Sequence, residues 1–254
     1  MLFDSHAHFD DRQFDADREE VLKSLKAFGV CNIVNVGADI EGSKASVALA
    51  DKYDFIYATV GVHPSDTGNM TDRDIDTLRE LAKHKKVVAI GEIGLDYHYM
   101  DGTDPQTQKK WFIRQIDLAK ELDMPIVVHD RESKGDSLKI LKENKVSKGV
   151  VHCYSGSAET AREIIGLGMM ISFTGVLTFK NARRAVEACR EIPIERIMIE
   201  TDCPYMAPEP HRGKRNFSGY VEFVARKIGE IKGMTFEKVA EITTANAKKF
   251  YGIE

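Results

Sequence analysis

Eight short apolar runs rich in β-branched residues alternate with amphipathic helical runs along a chain of 254 residues. This alternation predicts an α/β fold, a (β/α)8 TIM barrel. Two further observations point the same way. Polar residues able to do chemistry end many of the apolar runs, as expected where strand ends build a site at one end of a barrel. No GxGxxG follows the first run, and the polar ends are not confined to one switch point, which sets aside a doubly wound open sheet.

The first strand is expected near Leu2 (LFDSH), followed by a helix over Asp17–Phe28. The second starts near Asn32 (NIVNVG), with a helix at Glu41–Tyr53, and the third near Phe55 (FIYATVGVH), with Asp72–His84. The fourth starts near Val87 (VVAIGEIG), with Pro105–Leu122, and the fifth near Pro125 (PIVVHD), with Lys134–Glu143. The sixth starts near Gly149 (GVVHCY), with Ala158–Leu167, and the seventh near Met169 (MMISFTG), with Ala182–Arg190. The eighth starts near Arg196 (RIMIETD), and helices at about Tyr220–Ile231 and Phe236–Phe250 follow it. Short connections between parallel strands demand crossover helices, and eight such units suit a single domain spanning 1–254.

At this length folding buries roughly 70–75% of the unfolded surface, so a full core needs no staples. The net charge of −4 gives no general support for nucleic-acid binding, which must rest on local basic residues. Cys31, Cys153, Cys189 and Cys203 are scattered without CxxC spacing and read as reduced thiols. The N-terminus has no basic and apolar leader pattern, and no apolar run approaches about 18 residues. A soluble cytoplasmic monomer without a membrane contact is the expectation.

The polar residues that end the runs are His6 and His8, His63, Glu92, His129-Asp130-Arg131, His152, and Glu200-Thr201-Asp202. A lone histidine at a strand end is most often a packed core residue. Five of them beside two carboxylates are not, because carboxylates at buried strand ends are costly unless a cation neutralises them. His6 and His8 are two apart, so their rings leave one face of a strand. Imidazole with carboxylate suits Zn, Mn, Ni or Fe, and Mg with more oxygen. The set is too large for one tetrahedral ion. We expect two divalent ions, His6, His8, Glu92 and Asp202 on one and Glu92, His129 and His152 on the other, with Glu92 shared. Two ions about 3.5–4 Å apart can hold a hydroxide and clamp an in-line displacement. Asp202 would orient that hydroxide or take its proton.

HAHFD, GVHP, GEIGLDY, VVHDR, HCYSG, ETDCPYMAP and HRGKRN, in this order from His6 to about Asn216, resemble the motifs of the TatD family of metal-dependent deoxyribonucleases, within the amidohydrolase superfamily. The resemblance implies a (β/α)8 barrel and metal-dependent DNA hydrolysis, often as an exonuclease on single strands. The family's ligands map onto His6, His8, Glu92, His129, His152 and Asp202, and its histidine beside the scissile phosphate onto His63. Many superfamily relatives bridge their metals with a carboxylated lysine; Glu92 ends the fourth strand here, which matches the TatD branch. The chain departs from the family at Asn216-Phe217-Ser218, where members often carry an acidic residue and proline.

A phosphodiester also needs cations and donors. Arg131 and the loop carrying Arg212, Lys214 and Arg215 are the candidates, with Tyr154 and Tyr97 able to stack on bases or bond a phosphate. Asp4 and Glu200 read as partners behind the ligands. Cys153 and Cys203 have the opposite parity and should face away, and Met100, Asp101 and Asp104 form a polar loop placed as a candidate gate. The leading expectation is therefore hydrolysis of single-stranded or nicked DNA using two divalent ions, Mg, Mn or Zn, with Ni a candidate on purification. Two alternatives stand beside it: an amide, ester or phosphotriester hydrolase such as an aminoacyl-tRNA deacylase, and a metal-binding scaffold without turnover.

Overall fold

A computed structural model describes residues 1–98 and 102–254 of the chain. Its strands are β1 (Leu2–Ala7), β2 (Val30–Val36), β3 (Ile56–Val60), β4 (Val87–Asp96), β5 (Ile126–Arg131), β6 (Gly149–Val151), β7 (Met170–Phe173) and β8 (Ile197–Ile199). They form an eight-stranded sheet in sequential order, and the pairings β1–β2, β3–β4, β4–β5, β5–β6 and β7–β8 are all parallel. The helices are α1 (Arg18–Ser24), α2 (Ile40–Lys52), α3 (Asp72–Leu81), α4 (Pro105–Glu121), α5 (Asp136–Glu143), α6 (Ala158–Gly166), α7 (Arg183–Glu191), α8 (Val221–Lys232) and α9 (Phe236–Tyr251). Strands and helices alternate as expected, and the fold class is (β/α)8, of the TIM-barrel type. Among the described residues no helix is long and apolar enough to cross a membrane. Met100 and Asp101 lie outside the described residues.

The chain divides into two compact units. The first comprises 1–35, 153–166 and 170–254, and holds β1, β7 and β8 with nearly all of β2. Its core includes Phe3, Phe9, Phe14, Leu22, Ile33 and Phe173, all fully buried. At about 2 kcal/mol for each large apolar side chain removed from water, such residues dominate the stability of their unit. Every residue of β1 is buried, so Asp4, Ser5 and His6 stand inside the protein and each needs a polar partner. Ser5 donates to the Ile199 carbonyl at 3.0 Å. The C-terminal ends of β1 and β8 are tied: Asp202 N–H donates to the His6 carbonyl at 2.9 Å and His8 N–H to the Cys203 carbonyl at 2.8 Å.

The second unit comprises 36–152 and 167–169 and holds β3 to β6. Ile56, Leu78, Ile90, Ile93 and Phe112 fill its core. The α4 helix begins cleanly: Asp104 accepts the N–H groups of Gln106 and Thr107 at 2.9 and 3.1 Å, and Pro105 takes the first helical position. Its buried side carries two glutamines seven residues apart, hence on one face. Gln115 receives the Val62 N–H at 2.8 Å and donates back to the Val62 carbonyl at 3.0 Å. Gln108 does the same for Asp96, at 2.9 and 2.8 Å. Each amide replaces a missing ladder partner at the end of a strand.

Candidate functional site

In the first unit, β1 presents His6 at its buried end and His8 just beyond it. Their Nε2 atoms are 3.1 Å apart. Asp202 follows β8 with a left-handed backbone (φ 57°), which turns its carboxylate toward them. Its Oδ1 lies 3.7 Å from His6 Nε2 and 3.4 Å from His8 Nε2. Ligands held about 2.1 Å from one ion stand about 3.0–3.4 Å from each other; two of the three separations fall in that range, and the one from His6 to Asp202 is slightly wider.

Asp4 supports this group from behind. Its carboxylate accepts the Thr201 N–H at 2.9 Å, the Thr201 hydroxyl and the Ser218 hydroxyl at 2.5 Å each, and the His6 N–H at 3.4 Å. Complete burial outweighs these bonds and pushes the Asp4 carboxyl up to about 7. Glu200 accepts the Cys153 N–H at 2.6 Å and the Ser172 hydroxyl at 2.5 Å. Both carboxylates brace strand ends, as the sequence suggested. The Cys203 thiol is fully buried and pushed well above its usual range, mainly by that burial. It is no nucleophile.

In the second unit, Glu92 on β4 is buried, and its Oε1 lies 2.7 Å from His129 Nδ1 and 2.7 Å from His152 Nε2. Those two ring nitrogens are 3.1 Å apart. Three donors again converge, two of the separations at hydrogen-bond distance. Burial works to raise the Glu92 carboxyl, but His152, His63 and the bonds to His129 and His152 together hold it well below the carboxylate range. His129 is likewise opposed by burial, yet its bonds to Asp96 and Glu92 raise it.

His63 follows β3 on the loop that Gln115 clamps. Its Nδ1 accepts the Ser65 N–H at 3.2 Å, so the ring proton sits on Nε2, which lies 3.7 Å from Glu92 Oε1. Burial, then the neighbouring His129, push its pKa down to about 3. His63 is therefore a neutral donor at neutral pH.

Asp96 is the residue that the sequence reading missed. It is buried on β4, and its Oδ2 lies 3.2 Å from His129 Nε2. The signal was present: Asp96 is four residues past Glu92 on the same strand and so shares its face.

Two of the expected substrate contacts already have partners within the chain. Tyr154 is only 5% exposed, and its hydroxyl donates to the Ser157 carbonyl at 2.6 Å. It is packed in the loop after β6, with no open face for a base. Arg215 forks onto Asp17, with bonds of 2.9 and 2.6 Å, and also donates to the Gln13 carbonyl at 2.6 Å. Its charge is neutralised within the first unit. Tyr97 likewise spends its hydroxyl on Asp136 at 3.0 Å. Arg212 and Lys214 are exposed, the Arg212 guanidinium lying 4.2 Å over the Phe179 ring. Arg131 ends β5, half-buried. The loop that carries Arg212 and Lys214 is anchored by buried Asn216, whose amide donates to the carbonyls of Thr201 and Tyr205 at 2.8 and 2.7 Å.

Comparison with known proteins is consistent along the whole chain. The model of a family described as TatD related DNase matches residues 3–252. A Bacillus subtilis protein named as the uncharacterized metal-dependent hydrolase YabD is 48% identical over 255 residues, covering 100% of both chains. A Cronobacter sakazakii protein named 3'-5' ssDNA/RNA exonuclease TatD is 32% identical, covering 98% of this chain and 97% of that one. The crystal structure of YjjV, a TatD homologue from Escherichia coli K12, superposes with a TM-score of 0.93 at 29% identity, covering 100% of this chain and 98% of that one.

Proposed function

The chain belongs to the TatD related DNase family and is a metal-dependent hydrolase; from that premise we propose that it hydrolyses phosphodiester bonds of single-stranded or nicked DNA with two divalent ions. His6, His8 and Asp202 hold one ion in this reading, and Glu92, His129 and His152 the other. Glu92 is the ligand that the sequence reading shares between them. The observation that carries the proposal is the Glu92 carboxylate, buried yet held ionised, with two imidazole nitrogens each 2.7 Å from one of its oxygens. Such a donor set fits Zn or Mn, and Mg where water completes the shell.

When bound, the divalent ions supply Lewis-acid charge to a phosphoryl oxygen and lower the pKa of water. The residues of the chain do the rest. Asp202 takes the proton of the attacking water. His63 donates its Nε2–H to a phosphate oxygen and, with its low pKa, adds no cation that would compete with the ions. Arg212, Lys214 and Arg131 hold the flanking phosphates, Lys as a point charge and Arg as a fork. The nuclease name of a full-length relative supports a nucleic-acid substrate.

End-labelled single-stranded DNA with Mg²⁺ or Mn²⁺ tests the proposal. Shortening of the strand that stops with EDTA and in Glu92→Ala is expected. Cleavage that survives both overturns it, and hydrolysis of esters or amides without any cleavage of DNA transfers the site to the second class of substrate.

A further inference from the structure

We propose that Asp96 is the positioning residue for His129: it accepts the Nε2 proton of that ring and thereby leaves the Nδ1 lone pair for a metal ion beside Glu92 and His152. The inference rests on the metal-binding role of His129 given above and adds what makes His129 able to serve.

A neutral imidazole has one N–H and one lone pair, and only the lone pair can ligate. For His129 the ligating atom must be Nδ1, which lies 2.7 Å from Glu92 Oε1 and 3.1 Å from His152 Nε2. The proton must then sit on Nε2, and a buried N–H needs an acceptor. Asp96 Oδ2, at 3.2 Å, is that acceptor. A carboxylate behind a ligating histidine fixes the tautomer and raises the basicity of the ring.

The surroundings show why an acid stands at this position. Asp96 Oδ1 accepts the His98 N–H at 2.9 Å. Both side-chain oxygens therefore face donors. An asparagine could offer only one acceptor; turned to satisfy His98, it would point its NH₂ at Nε2 and force the proton onto Nδ1. Asp96 is also held in place. Gln108 bonds its backbone on both sides, at 2.9 and 2.8 Å, and donates to the Thr103 carbonyl at 2.8 Å. The helix that clamps Val62 ahead of His63 thus also clamps the residue behind His129.

A competing reading follows from the same atoms. His63, Asp96 and His129 have ligand atoms close enough to one another for a further ion. That ion would need Nε2 of His129 while Nδ1 serves Glu92 and His152, so the ring would have to lose both protons. A simple hydrogen bond to Asp96 requires no such ionisation.

The test uses the full chain. Nitrogen-15 NMR of the histidine rings in the Zn²⁺-loaded protein reads directly which His129 nitrogen carries the proton. The wild type is expected to carry the proton on Nε2, and Asp96→Asn to shift it to Nδ1. Chelator competition with Zn²⁺ or Co²⁺ should then show about 10–100-fold weaker binding with unchanged stoichiometry. Asp96→Glu should restore part of the affinity, which a merely structural residue would not. A wild-type proton on Nδ1, or an Asp96→Asn protein with unaltered tautomer and affinity, overturns the proposal. Loss of one whole ion in Asp96→Asn with the tautomer unchanged makes Asp96 a ligand and also overturns it. If Asp96→Asn fails to fold, the wild-type tautomer and Asp96→Glu decide alone. A chain that shifts its tautomer as expected but cleaves no DNA leaves this inference standing and removes the substrate reading.

Discussion

Gly94 on β4 and His129 on β5 are register partners packed so closely that a β-carbon on Gly94 would lie 1.9 Å from the His129 carbonyl oxygen. Gly94 also has φ 149°, a conformation that side chains rarely adopt. The position of a proposed ligand is thus set by the missing side chain of its neighbour. Gly94→Ala should destabilise the fold by at least about 2 kcal/mol, through strain and backbone overlap. Urea unfolding of metal-free protein measures this. A variant as stable as the wild type would show that the two strands can separate without cost.

Glu92→Ala removes the carboxylate around which His129, His152 and His63 are grouped. We expect a loss of metal from the second unit and a fall in DNA hydrolysis of at least about 100-fold, more than loss of an orienting partner gives. Metal content by mass spectrometry, read beside activity, checks both. If Glu92 is shared by the two ions, less than one ion per chain should remain tightly bound; a full remaining ion limits it to one.

Much of this was legible in the sequence, and the reasons are physical. All eight strands were found because strands covered on both faces read as unbroken apolar runs. The candidate ligands stood out because ionisable groups at the ends of such runs need a reason. Helix ends were read less well. Asp17–Phe28 splits at Ser24, continuing as a tighter 3-10 turn to Gly29, and α5 starts at Asp136 because Gly135 is left-handed at φ 91°. Contacts between distant residues were not legible. Arg215 meets Asp17 across 198 positions, and a basic loop gives no sign of which cation is already paired. The spacing places Asp96 on the face of Glu92, but its pairing with His129 depends on the register of β4 with β5.

The pairing of Arg215 divides the basic loop into two kinds of cation. Arg212→Ala and Lys214→Ala should each raise KM for single-stranded DNA, with little change in kcat. Each should also lower the salt slope of binding by about 0.7, the value of one phosphate contact on a single strand. Arg215→Ala should lower the melting temperature and leave that slope unchanged. Binding measured at several salt concentrations separates the two classes, and equal slopes for all four proteins would remove the loop from the substrate site.

Asp4 provides the last and most local case. Its carboxylate accepts two bonds from Thr201 and one from Ser218, and Thr201 directly precedes Asp202. In Asp4→Ala the Thr201 N–H and both hydroxyls lose their acceptor in a site that water does not reach. At about 1–3 kcal/mol for each buried group left unpaired, partly relieved by rotation of the hydroxyls, the loss should total about 3–5 kcal/mol. Asp4→Asn keeps the shape and one acceptor, so it should cost less. The Asp202 turn then loses its brace, and binding of the ion held by His6, His8 and Asp202 should weaken while the Glu92, His129 and His152 group keeps its affinity. Denaturant unfolding together with chelator titration resolves the two effects. An Asp4→Ala protein with wild-type stability would mean that the strand end holds itself, and that Asp4 is a bystander in the order of the site.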